Sequence, residues 1–349
     1  MPSSYAKMLK NWKKKIHCTF HGLNVEQEKA ITEAVLRILF LYFARNAIYI
    51  TILSGIFVLH IIYQVLMFPS SFWNNRTVLF GISTISLSSC LSMTTVTRNE
   101  LSRFFDTSMD IRNSRASLQR TSVVTIQALF GLALVLLSIQ FHFNAHYSPY
   151  DIVLTILCIV VTTRLVVVFV IWTNCVYRVG EKLGELRKFL EKCNGRTEYE
   201  HLALKMKDTT TCLVLLNRKV SIILLMGFIL ITYCLLLTLK KMLSSTMFAF
   251  VVAPFLLLYL VCAYANSELA KLKVASLRLF DLQFITPAVN SLVNYFWMSR
   301  KIEELPELEV KYLFHTTFSN VVKVIVYCLI VFTSFEHCIS SAIRCKTLF

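Results

Sequence analysis

The stretch KVIVYCLIVFTSF, residues 323–335, sets polar side chains inside an otherwise apolar run. A helix turns about 100° per residue, and on that wheel Thr316, Asn320, Lys323, Tyr327 and Ser334 share an arc of about 60°. Ile330, about 20° beyond the edge of that arc, is the apolar member of the same stripe. Polar groups are costly in hydrocarbon, with Lys at a helix centre priced at about 2.5–3.5 kcal/mol on insertion scales. Two arrangements satisfy such an arc. It packs as a seam against neighbouring helices, with Lys323 reaching back to the surface, or it walls a water-filled path. A single stripe cannot enclose a conduit, so the second arrangement needs several copies of the chain around an axis. Ile330, repeated in a ring, would then close the path by dewetting.

Little else in the chain could react. The eleven cysteines are scattered, without a CxxC pair. Cys90, Cys158, Cys234, Cys262, Cys328 and Cys338 fall in or beside apolar runs, where a thiol acts as a small hydrophobe. His142 and His146 form an HxxxH pair, but no acid-rich set beside it completes a metal site. Inside the apolar runs charged and titratable residues, Arg164, Lys323 and His142 among them, are few and scattered, too little for a proton relay or a catalytic cluster. We therefore expect no enzyme activity, no cofactor and no metal.

These residues need elements to position them, and the composition names the class. The chain of 349 residues is 56% hydrophobic and 16% charged, with mean hydropathy +0.62. Soluble domains carry about 25% charged residues, so an integral membrane protein is expected. Crossing about 30 Å of hydrocarbon takes about 20 apolar residues of helix. Spans are predicted at 47–68, 78–96, 123–143, 150–172, 221–242, 246–265 and 322–341. The fold class is thus an all-α membrane protein with seven transmembrane helices. Segments before the first span and after the second, fourth and sixth hold 29 of the 36 Lys and Arg, against 5 on the other side. The positive-inside rule puts residues 1–46 in the cytoplasm and the short tail 342–349 outside, on the cell membrane. MPSSYAKMLKNWKKK is accordingly read as a cytoplasmic segment, not a signal peptide. The sequon Asn75-Arg76-Thr77 then falls in an outside loop, which makes Asn75 a candidate glycosylation site. The basic surplus serves topology and anionic lipid, not nucleic acid, because no clustered Arg with aromatic platforms is present.

The cytoplasmic side carries structure of its own. Val176, Val179, Leu183, Leu186 and Leu190 recur at three and four, which continues the fourth span as an amphipathic helix within a helical region 173–220. YANSELAKLKVASLRLFDLQF extends the sixth span likewise, and TPAVNSLVNYFWMSRKIEEL predicts a further helix ended by Pro306. Residues 266–306 would form a cytoplasmic anchor, either packed as a bundle or lying as separate helices on the headgroups. The last helix is expected within 307–341.

Seven spans, a cytoplasmic N-terminus and a mid-membrane Tyr in the last helix together resemble the insect gustatory receptor family. That family's signature is Thr-Tyr, five mostly apolar residues, then Gln-Phe. Here Val326-Tyr327 is followed by CLIVF and then Thr333-Ser334, with Phe335 one place late. The Tyr matches; Val, Thr and Ser replace the other three. VKYLFHTTFSNVVKVIVYCLIVF also looks like the family's entry into that helix. The resemblance implies a chemosensory, ligand-gated, nonselective cation channel, assembled as a homo- or heterotetramer around four copies of the last helix. Carried over, the gate falls at Thr333 and Ser334. Ser334 shares the polar arc, and Ile330 or Phe335 supplies the apolar plug. Thr316, Asn320 and Lys323 would face the inner end of the pore. The family's ligand pocket opens outward among the earlier helices, and candidates for holding a small tastant are Gln140, His142, Asp151, Thr155, Tyr233, Thr238 and Phe250. Gln and Asp orient hydroxyls, and Tyr and Phe provide flat apolar walls. Two rival classes are a seven-helix G-protein-coupled receptor, whose N-terminus would lie outside, and a membrane carrier, which would want titratable groups or broken helices at mid-membrane.

Overall fold

A computed structural model describes residues 30–34, 114–143, 149–191, 196–239, 245–284, 289–310 and 314–323, together with scattered single positions that include Phe104, Val326 and Ile330. In the described residues the chain is almost entirely helical. The elements are α1 (Ser114–Phe143), α2 (Pro149–Leu190), α3 (Arg196–Leu239), α4 (Ser245–Phe284) and α5 (Val289–Glu303), followed by β1 (Glu309–Val310) and β2 (Phe314–His315). Residues 318–323 are helical, as are Val326 and Ile330. Four helices, α1 to α4, are long and apolar enough to cross a membrane. They contain the predicted spans 123–143, 150–172 and 246–265, and 221–242 as far as Leu239. The predicted spans 47–68 and 78–96, and the last beyond residue 323, lie outside the described residues apart from single helical positions.

Helices α2, α3 and α4 hold 42, 44 and 40 residues. At about 1.5 Å per residue each is about 60 Å long or more, twice the hydrocarbon thickness. Each therefore projects well beyond a bilayer. The C-terminal part of α2 is the predicted amphipathic stretch, and its stripe Val176, Val179, Leu183, Leu186 and Leu190 is buried throughout. The extension of the sixth span is likewise one continuous helix, α4, and Pro306 follows the end of α5 as expected. Met298 and Ile302 of α5 are buried, and the helix packs on α4 and α3. The projecting segments therefore form a bundle, not separate helices.

Contacts along the helices give their directions. Phe169 meets Phe255 edge to face and Tyr177 stacks on Tyr264, so α2 and α4 run parallel. Arg120 of α1 pairs with Glu181 of α2 at 2.9 Å, while nearer the other end Gly131 backs onto Val166, so these two run antiparallel. Tyr259 of α4 donates its hydroxyl to the Leu224 carbonyl of α3 at 2.6 Å, and Gly227 lies under the Phe255 ring, which makes α3 and α4 antiparallel. The apolar stretch of α2 is 72% buried against 17% for α1, so among the described helices α2 is the more central and α1 the more peripheral. Glycines set the spacing of α2 and α4. Gly180 and Gly184, one helical turn apart, leave room for Tyr264 and Glu268. Glu268 is held there by Lys271 at 2.6 Å and Arg187 at 3.9 Å.

Candidate functional site

Where α4 leaves its most apolar stretch, Asn266 is 5% exposed and meets the chain between α5 and the final helix. Its Nδ2 donates to the Leu308 carbonyl (2.7 Å), the Thr316 carbonyl (2.7 Å) and Thr316 Oγ1 (3.0 Å). Its Oδ1 accepts from the Leu308 amide at 2.8 Å. The side-chain amide thus holds both backbone groups of Leu308, as a neighbouring strand would. Thr316 closes the arrangement, donating its own amide (2.9 Å) and hydroxyl (2.7 Å) to the Leu308 carbonyl. Next to this rung sits the hairpin, in which Glu309 pairs with His315 and Val310 with Phe314. Asn217 of α3 accepts from the Glu309 amide at 3.3 Å. Toward the surface, Glu307 meets Lys273 at 3.2 Å and His315 at 3.7 Å.

The final helix starts one residue beyond Thr316. Thr317 is its N-cap: the hydroxyl accepts from the Asn320 amide at 3.1 Å and the carbonyl from the Val321 amide at 2.9 Å. Asn320 reaches back to the His315 carbonyl at 2.8 Å. Replacing Thr317 by Ala should cost about 1 kcal/mol and fray the first turn. Faster hydrogen exchange at the Asn320 amide is the expected readout; unchanged protection there would contradict the cap.

The wheel that began at Thr316 needs correction. Thr316 precedes the helix and is fully buried inside the protomer, so it cannot face an axis shared with other copies. Within 307–341, the segment expected to hold the last helix, Glu309–Val310 pairs with Phe314–His315 and the described helix begins at 318. Asn320 is half-buried, whereas Lys323 is exposed. Phe318, Val322, Val326 and Ile330 follow one another at intervals of four and are exposed, so the helix shows an unburied apolar stripe. Tyr327, Thr333, Ser334, Phe335 and Asn75 lie outside the described residues.

No protein-family model and no curated protein matches this chain. The site therefore rests on its own geometry. The topology brings the ligand-binding candidates to one end of the bundle, opposite Asn266. Gln140 and His142 are near the end of α1, Asp151 and Thr155 in the first turns of α2, Tyr233 and Thr238 near the end of α3, and Phe250 near the start of α4. The side chains of Gln140, His142, Asp151 and Thr155 lie outside the described residues. Tyr233 and Phe250 are half-buried. Thr238 is buried and donates its hydroxyl to the Cys234 carbonyl of its own helix at 2.8 Å. Sequence reading missed Asn266 and Asn217. A lone Asn carries no periodic signal, and its only mark was its place where apolar helix gives way to charge.

The opposite end of the bundle carries its own surface. Leu204 and Val214 of α3, Val274 and Leu277 of α4, and Phe296 and Trp297 of α5 are exposed large apolar residues. On α5 they neighbour Arg300 and Lys301, which fold back onto Glu304 at 3.4 and 2.9 Å. The Lys301 hydrogen bond, with its charge, holds the Glu304 carboxyl below the usual carboxylate range.

Proposed function

We propose that this chain is a subunit of a chemosensory, ligand-gated, nonselective cation channel with seven spans, its N-terminus in the cytoplasm. The observation that carries the reading is the unburied apolar side chains on the projecting bundle: Leu204, Val214, Val274, Leu277, Phe296 and Trp297. With 29 of 36 Lys and Arg counted to the inside, this bundle lies in the cytosol. Water there leaves such side chains uncovered, and further copies of the chain bury them. A tetramer joined through this bundle sets four final helices around one axis. Asn320, Lys323, Ile330 and Ser334 then belong to the stripe that lines the path, with Ile330 as the apolar constriction. Four Lys323 ammonium groups would sit at a wide inner mouth, because a narrow one would repel cations. A small tastant enters from outside among Gln140, His142, Asp151, Thr155, Tyr233, Thr238 and Phe250.

Two measurements test this. Epitope tags on both termini should be reachable from outside only at the C-terminus; a surface-accessible N-terminus would instead fit a G-protein-coupled receptor. Single cysteines at Ile330 and Ser334 should react with extracellular thiol reagents and alter cation current, while cysteine at Leu329 should not. The reverse pattern would reject the assigned face of the last helix.

A further inference from the structure

Asn266 is fastened to the lead-in of the final helix more completely than its surroundings require. An asparagine amide has two N–H groups and one carbonyl, and here all are engaged on Leu308 and Thr316. Packing alone would already seat this segment, since Leu305, Leu308 and Val310 are buried. The polar clamp adds direction, because it allows one position of the rung along α4 and refuses a slide by a residue. Between that rung and the final helix stands only Thr317, itself fixed as the N-cap. No slack segment separates α4 from the first turn of the final helix.

We infer that Asn266 is a positioning residue: its amide makes the final helix move with α4, and so joins the end of the bundle that carries the ligand candidates to the base of the pore. The gating half of this statement rests on the channel reading; the mechanical half does not. The same α4 that carries Phe250 near one end carries Asn266 well down its length, and the helix is continuous between them. A displacement of α4 reaches the final helix through the clamp. With the clamp opened, the final helix keeps its own hydrogen bonds and loses its reference to α4. The clamp fixes one setting of the final helix against α4, so opening it shifts the balance between the conducting and closed pathways.

The experiment uses the full-length chain, purified in detergent for exchange and expressed in cells for current. In Asn266→Ala the amides of Leu308 and Thr316 should exchange about tenfold faster, while peptides from the middle of α2 and α4 keep their protection. Cation current per surface-labelled copy should change, also about tenfold. Thr316→Val, which replaces the hydroxyl by a methyl of similar size, should shift both readouts in the same direction. Thr316→Ser keeps the hydroxyl and should behave as the parent. If Asn266→Ala does not fold, the two Thr316 variants decide. Unchanged exchange at 308 and 316, or Thr316→Ser behaving like Thr316→Val, overturns the clamp. Faster exchange with unchanged current in a conducting protein overturns its role in gating. Absence of current from the parent and every variant counts against the channel reading, and exchange then still decides the mechanical half.

Discussion

Phe255→Ala is expected to be among the most damaging single substitutions in the bundle. The ring is fully buried, meets Phe169 of α2 edge to face at 4.9 Å, and lies against Gly227 of α3. Three helices therefore converge on one side chain. Truncation removes those contacts and opens a void that Gly227, with no side chain, cannot fill. Large-to-small changes of this type cost about 3–5 kcal/mol. In lipid part of the transfer contribution disappears, because the unpacked state is apolar too, but the lost dispersion contacts remain. Phe255→Leu, which keeps most of the volume, should cost about 1.5 kcal/mol or less. The check is the thermal inactivation midpoint of detergent-solubilised protein, with the order parent, Leu, Ala. Equal midpoints for parent and Ala would remove Phe255 from its place at the junction.

Gly180→Leu should be comparably severe for the opposite reason. A Cβ at residue 180 would stand 2.6 Å from Tyr264 Cε1 and 3.4 Å from the Ala265 Cα. The Tyr264 ring is held on one face by Tyr177, with centroids 5.0 Å apart, so it cannot simply step aside in that direction. Removing a helix-interior glycine gains about 0.8–1 kcal/mol of propensity. Overpacking costs about 1–3 kcal/mol for small additions, and a leucine adds a whole branched side chain. The clash wins. Even Gly180→Ala should be net destabilising, although by about 1 kcal/mol, and a double change with Tyr264→Ala should recover stability. If Gly180→Leu reaches the cell surface at parental levels with a parental midpoint, the close approach of α2 and α4 is wrong.

Much of the helical architecture was legible in the residues. Long apolar runs announce helices because lipid leaves backbone groups no other partner. The stripe Val176–Leu190 was readable because burial on one side imposes the 3.6-residue period, and all five of its members proved buried. Pro306 marked the end of α5 for the equally local reason that it cannot donate in a helix. The junction was not legible. Strands of two residues show no alternation, so Glu309–Val310 and Phe314–His315 were absorbed into the helix that follows. Thr316 fitted the polar wheel by spacing alone, while its actual partners are Leu308, eight residues back, and Asn266, fifty back. Contacts at that separation leave no trace in local periodicity. The helix that the wheel assumed starts only after the cap at Thr317, and among the described residues it runs over 318–323.

The length of α4 between its wedge and its clamp has a mechanical consequence. Phe255 acts as a fulcrum, and Pro254 beside it is the interior proline of the helix, the place where bending is easiest. Asn266 stands eleven residues farther on, an arm of about 16 Å. A tilt of about 5° at the fulcrum leaves the Phe169–Phe255 contact almost unchanged, yet carries the far end of the arm by about 1.4 Å. Added to hydrogen bonds of 2.7–2.8 Å, that travel exceeds what such bonds tolerate. A lead-in that stayed behind would lose those bonds, so rocking too slight to disturb the packed core carries the foot of the final helix along with the arm.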